Sequence, residues 1–232
     1  MVYAFFRFDQ EYGRVDDLII PEYRELQQQL GLMQGLPFTP LWSAEADFVR
    51  LIVDACLEQR PSLILECSSG LTTLMLARCC QLNGHGRVVS LEDGEPYALR
   101  TREYISRYAL DDYASVLHAP LQPAQYDGVE YAWYDTGCFP EVTIDMLVID
   151  GPSGFSGKNA RYPALPVCYP FLSPGCRIFL DDAARPDERE IVALWQANYP
   201  GLSHRFHETA RGCSLLTLDT VQDADSRPQE AL

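Results

Sequence analysis

Carboxylates recur in this chain at the points where short apolar runs end. The runs at residues 63–65, 87–91, 115–118, 145–149 and 177–180 lead into Glu66, Glu92, His118, Asp150 and the pair Asp181-Asp182. If the runs are strands of an open parallel sheet, these positions lie at its carboxyl edge, where such sheets bind ligands. Five of the six residues are acidic, and an acid stands at four of the five strand ends. A single such acid could merely cap a following helix; the repetition points to a site. Asp150, Asp181 and Asp182 would sit on adjacent strand ends, where they repel one another unless something positive lies among them or one takes up a proton. A helix cap formed by Asp181-Asp182, with Pro186 in the first turn, is the plain alternative.

The first strand exit is Leu63-Ile64-Leu65-Glu66-Cys67-Ser68-Ser69-Gly70-Leu71-Thr72-Thr73. Small residues between strand and helix let a ligand approach the backbone, and the helix N-terminus favours a carboxylate or phosphate. A dinucleotide site calls for G-x-G-x-x-G, whereas this turn holds one glycine. Glu92 adds weight, because an acid ending the second strand can accept hydrogen bonds from ribose hydroxyls. The alternative is an ordinary strand–helix turn with Glu92 solvated.

These segments resemble the class I S-adenosylmethionine-dependent methyltransferases over residues 40–200. Leu-Glu-Cys-Ser-Ser-Gly-Leu-Thr-Thr is similar to their first motif, E-x-G-x-G-x-[ST], with Ser68 in place of its first glycine. Val-Val-Ser-Leu-Glu-Asp, Asp-Met-Leu-Val-Ile-Asp-Gly-Pro and Leu-Ser-Pro-Gly-Cys-Arg-Ile-Phe-Leu-Asp-Asp follow in the order of the second, fourth-strand and fifth-strand motifs. The resemblance implies S-adenosylmethionine as cofactor. Glu66, Ser68 and Gly70 would line it, Thr72 would bind its methionine carboxylate, and Glu92 its ribose. His118 and Ala119 would lie beside the adenine. The second half is similar to metal-assisted small-molecule O-methyltransferases, which implies Asp150, Asp181 and Asp182 as metal ligands, with Mg²⁺ the ion. Those of the catechol type carry a lysine base three residues after the first metal Asp, where this chain has Ser153. Its single lysine, Lys158, follows in the 152–160 loop and is one candidate for the base. Asp150 is another. Lys158 and Arg161 could instead hold an anionic group of the acceptor, or Lys158 could be solvated.

The elements that must position these residues alternate. Helical spacing over 44–59, 71–82, 95–110, 160–171 and 187–199 falls between the apolar runs. Asp93 is a candidate cap for the third of these helices, and Ser173-Pro174-Gly175 reads as a turn. Runs at 204–209 and 214–218 suggest an antiparallel C-terminal hairpin around Arg211-Gly212. The expected fold is a doubly wound, Rossmann-like α/β domain, with a mostly parallel seven-stranded sheet and helices on both faces. Its divisions are an N-terminal cap over 1–40, the cofactor-binding domain over 41–220 and a disordered tail over 221–232. The amphipathic stretch 23–32 and the Trp42 region could cover the cofactor.

Composition narrows the partners. A net charge of −15 opposes nucleic-acid binding, and no segment approaches the ~20 apolar residues that span a bilayer. Residues 1–14 do not read as a signal peptide. Seven of the eight cysteines lie in apolar stretches with no C-x-x-C, which fits buried thiols in a reducing cytoplasm. The expected activity is methyl transfer to a small-molecule hydroxyl; a homo-oligomer is compatible with it. A nucleotide-linked oxidoreductase and a non-catalytic cofactor-binding module are the rival functions on the same architecture.

Overall fold

The apolar run after Pro61 forms β1 (Leu63–Cys67), all five residues of which are buried. Side chains alternate across a strand, and here the alternation divides two cores. Ile64 joins the cluster under α2 (Ala46–Gln59), α3 (Leu71–Asn83) and α4 (Glu95–Arg107). Leu63, Leu65 and Cys67 join the opposite cluster, with α5 (Ala164–Cys168) and α6 (Pro186–Asn198). The sheet is thus buried on both faces, which is why its strands read as continuous apolar runs.

The computed structural model describes residues 19–135, 137 and 142–219. The remaining strands are β2 (Arg87–Glu92), β3 (Ala114–His118), β4 (Leu121–Tyr126), β5 (Val129–Tyr134), β6 (Ile144–Ile149), β7 (Leu172–Leu180), β8 (Leu202–His207) and β9 (Cys213–Leu218). The main sheet runs β3-β2-β1-β6-β7-β9-β8. Its first five strands are parallel, and β9 pairs antiparallel with both β7 and β8. The Rossmann-like sheet and C-terminal hairpin therefore match the expectation. Strand order reverses between β1 and β6, which opens the crevice at which such sheets bind ligands.

Several boundaries differ from the sequence reading. β4 and β5 form an antiparallel hairpin that it did not anticipate. Asp127 and Gly128 turn it with positive φ angles of 51° and 78°, the backbone that a two-residue Asp-Gly hairpin turn requires. The helix expected over 160–171 shrinks to α5, bounded by Pro163 at its N-terminal cap and by Pro170 in the 3-10 turn that follows, while Pro166 sits in its first turn. Ser173-Pro174-Gly175 lies within β7, where a register irregularity opposite Ile144 and Met146 absorbs it. Gly94, not Asp93, occupies the cap position of α4.

The N-terminal segment contributes α1 (Arg24–Leu30), and Tyr23, Leu26, Leu30, Leu32 and Leu36 pack into the core beside α2 and α3. The expected signal-free stretch 1–14, Cys138 and the tail 221–232 fall outside the described residues. The other seven cysteines are buried free thiols. No described helix is long and apolar enough to cross a membrane.

Candidate functional site

Backbone hydrogen bonds between strand exits build the crevice. Ser68 N donates to Leu91 O at 2.8 Å, Asp150 N to Cys67 O at 3.1 Å, and Asp181 N to Ile149 O at 3.0 Å. Above them opens a cavity of about 910 Å³, toward the upper end of small-molecule sites. Ser68, Gly70, Thr72 and Glu92 line one side, Asp150, Arg161 and Asp182 the other, and Tyr134 lies on its wall.

On the first side, Ser68 adopts φ 94° and Gly70 φ 144°. Ser68 therefore keeps a left-handed backbone that glycine would adopt more easily. Such conformations cost on the order of 1–3 kcal/mol and collect at functional sites. Glu92 is buried at the cavity wall. Its Oε2 accepts from Ser69 Oγ at 2.7 Å and its Oε1 from Gly94 N at 3.0 Å. Burial raises its pKa, partly offset by these two donors.

Glu66 differs from expectation. It shares the face of Ile64, beneath α3, and is wholly buried away from the cavity lining. Its Oε2 accepts from Thr73 Oγ1 and Ser90 Oγ, each at 2.5 Å, while Thr73 Oγ1 also accepts from Gly70 N at 3.0 Å. Glu66 thus braces the turn from below. The strand's two-residue period and the hydroxyls of Thr73 and Ser90 were the signals for this role. His118 is exposed at the end of β3, and Ala119 is buried with its N–H on Glu92 O at 2.8 Å; neither lines the cavity. Lys158 also lies outside it, with Nζ 2.9 Å from Glu190 Oε2 at the surface.

On the second side, Asp150, Asp181 and Asp182 do converge, with one oxygen of each within 4.8 Å of the others. Asp182 does not cap α6, whose N-terminal cap is Arg185. A positive group already stands among the acids. Arg161 Nη2 is 3.4 Å from Asp150 Oδ1 and 3.0 Å from Asp182 Oδ2. Arg185 Nη2 lies 2.6 Å from Asp182 Oδ1, and Arg211 Nη1 3.7 Å from it. Burial raises Asp150 to about 7, with Arg161 opposing and Asp182 adding to the shift. It raises Asp181 to about 8, with Asp150 and Asp182 adding to it. Neither Asp181 oxygen has a hydrogen-bond partner. That orphaned carboxyl, and the partnerless Glu188 Oε2 on the same wall, would welcome a cation. Against it, the Arg161 guanidinium already occupies the space between Asp150 and Asp182, and Arg185 takes the other Asp182 oxygen, so two of the three acids are neutralised by fixed positive groups. As arranged, the donor set does not fit a divalent cation.

Four exposed apolar side chains, Leu41, Trp42, Tyr97 and Phe155, also line the cavity. Leu41 has φ 69°, in a turn where Trp42 N and Ser43 N both donate to Thr39 O. Trp42 meets Phe155 edge to face, with ring centroids 6.3 Å apart. Tyr134, at the end of the unanticipated hairpin, has a buried hydroxyl with no hydrogen-bond partner. A Cβ on Gly151 would lie 2.4 Å from that oxygen, so glycine permits the close approach. Of the four apolar side chains, the sequence points to Leu41 and Trp42, which share the run 38–43; the Asp127-Gly128 turn is the signal that leads to Tyr134.

The sheet order, the crevice and its acidic wall define an α/β enzyme of the Rossmann-like class. Residues 65–183, just over half of the chain, match the methyltransferase domain family, and the chain belongs to it. No curated protein matches it in sequence. Solved structures of similar fold include an O-methyltransferase from Bacillus cereus in complex with SAH, 20% identical, with a TM-score of 0.60 over 88% of this chain and 95% of that one. An SAH-bound methyltransferase from Podospora anserina is 14% identical, with a TM-score of 0.63 over 87% and 89%. An O-methyltransferase from Streptomyces achromogenes involved in tomaymycin synthesis, in complex with SAM, is 14% identical, with a TM-score of 0.58 over 84% and 86%.

Proposed function

We propose that this methyltransferase uses S-adenosylmethionine to methylate a hydroxyl of a small molecule with an apolar body. The observation that carries the reading is one cavity joining Glu92 and the α3 N-terminus to Asp150. Glu92 spends one lone pair of each oxygen on Ser69 and Gly94, which leaves acceptor capacity for ribose hydroxyls. Thr72 and the first N–H groups of α3 suit the methionine carboxylate. The positive-φ backbone at Ser68 and Gly70 keeps the turn open to the donor. The SAH- and SAM-bound structures of similar fold support this choice of donor.

S-adenosylmethionine supplies an electrophilic methyl on a sulfonium. The protein has to align the acceptor oxygen with it and remove the hydroxyl proton. Asp150 faces the cavity with Oδ1 held by Arg161, and a carboxylate titrating near neutrality suits general-base work. Lys158, ion-paired outside the cavity, is not assigned this role. Leu41, Trp42 and Phe155 would cover the apolar part of the acceptor, while the negative charge of the chain disfavours nucleic acid. An aqueous compartment, the cytoplasm, is consistent with the free thiols.

The test pairs binding with turnover. Calorimetry should show S-adenosylhomocysteine binding and no NAD binding. S-adenosylmethionine with a panel of hydroxylated aromatic acceptors should give a methyl ether and an equal amount of S-adenosylhomocysteine. NAD binding without S-adenosylhomocysteine binding would reverse the assignment.

A further inference from the structure

We propose that the buried guanidinium of Arg161 takes the place of a divalent cation in the acidic centre, so that this transferase holds its catalytic carboxylate without a metal. The inference concerns the site of the proposed O-methylation and rests on that reading for its functional meaning; its own evidence is the charge arrangement. Arg161 is anchored from three directions. Its Nε donates to Pro152 O at 3.2 Å, its Nη1 to Asp181 O at 3.0 Å, and its Nη2 to Asp150 O at 2.8 Å. These carbonyls belong to the exits of β6 and β7, so the guanidinium ties together the two strands that present the acids. The same Nη2 contacts Asp150 Oδ1 and Asp182 Oδ2, oxygens of two of the three converging acids.

The remaining charge is also answered. Asp182 Oδ1 faces Arg185 and Arg211, and Arg185 reaches Glu188 Oε1 at 3.6 Å. Four carboxyl groups, Asp150, Asp181, Asp182 and Glu188, thus meet three guanidinium groups, of which Arg211 is shared with Glu45 at 3.4 Å, so most of the negative charge that would attract a divalent ion is already paired. Arg161 and Asp181 are both buried, so an ion reaching Asp181 would have to displace a guanidinium held by three carbonyls. A guanidinium has a planar, permanently charged fork suited to this bridging, and it does not exchange with solvent as an ion does. Arg161 is therefore a positioning residue: it acts through Asp150, whose carboxylate it holds at the cavity wall.

The experiment is titration of the chelator-treated full-length protein with Mn²⁺, followed by paramagnetic resonance and calorimetry, with S-adenosylhomocysteine titrated in parallel. Wild type is expected to show no stoichiometric Mn²⁺ site, and its S-adenosylhomocysteine affinity should be the same in EDTA. Arg161→Met keeps an unbranched apolar stem and removes the guanidinium with its charge. It should gain Mn²⁺ affinity by at least about tenfold, a change of ~1.4 kcal/mol, and lose that gain when Asp182→Asn is added. A stoichiometric micromolar Mn²⁺ site in wild type, lost on Asp182→Asn, would overturn the proposal, as would a folded Arg161→Met protein with no gain. If Arg161→Met does not fold, the wild-type titration still decides. Failure of wild type to bind S-adenosylhomocysteine would instead refute the methyltransferase donor reading, whatever Mn²⁺ does.

Discussion

Glu92→Ala removes a buried carboxylate that the free protein can largely do without and the bound donor cannot. In the free protein, Ser69 Oγ loses one partner but keeps Thr101 Oγ1 at 3.2 Å. Gly94 N loses its acceptor at the edge of a cavity that admits water. The folding cost should therefore be that of about one ordinary hydrogen bond, ~0.5–1.5 kcal/mol. For a chain of this size that lowers Tm by about 1–6 °C. Binding loses more, because ribose hydroxyls would donate to a charged acceptor, worth ~1.5–3 kcal/mol. At ~1.4 kcal/mol per decade this weakens Kd for S-adenosylhomocysteine by about 10- to 140-fold. Calorimetric titration of both proteins measures it, with circular dichroism confirming the fold. A folded Glu92→Ala protein whose Kd stays within about twofold of wild type, ~0.4 kcal/mol, would refute the ribose assignment.

Other substitutions separate the remaining roles. Trp42→Ala and Phe155→Ala should each raise the acceptor KM while leaving S-adenosylhomocysteine affinity unchanged; equal loss of both would mean that this rim serves the donor. Gly151→Ala should destabilise the protein by ~1–3 kcal/mol through the Tyr134 hydroxyl, and Tyr134→Phe should recover part of that loss in thermal melts. Recovery of nothing would place the strain elsewhere. Lys158→Met should keep full turnover, since it breaks only an exposed ion pair with Glu190; a large drop in kcat would return Lys158 to the chemistry.

The doubly wound sheet was legible in the chain because strands buried on both faces must be apolar throughout, and their spacing leaves room for helices between them. The acids at the strand exits were legible for the same reason: the residue after a buried run is where the chain reaches the ligand-binding edge. Gly70 and Glu92 follow from that logic, as does the convergence of Asp150, Asp181 and Asp182. The Asp127-Gly128 hairpin carries a turn signal, but β4 has no buried residue and β5 buries only Tyr131, Trp133 and Tyr134, so neither strand is a continuous apolar run.

Which atoms answer those acids was settled only in three dimensions. Local spacing says that three carboxylates approach one another; it does not say what lies between them. Arg161 is eleven residues from Asp150 in sequence and twenty-one from Asp182, yet its side chain reaches both when the loop after β6 folds back over β7. Glu66 shows the converse case, a motif residue turned to the far face by the two-residue period of its strand and held there by hydroxyls from α3 and β2. Lys158 is set apart by the same loop, its charge carried to the outer surface of α6 and Glu190. The sequence determined which groups reach the carboxyl edge. Tertiary packing decided which of them face the cavity, because side-chain direction and long-range charge pairing depend on neighbours that are distant along the chain.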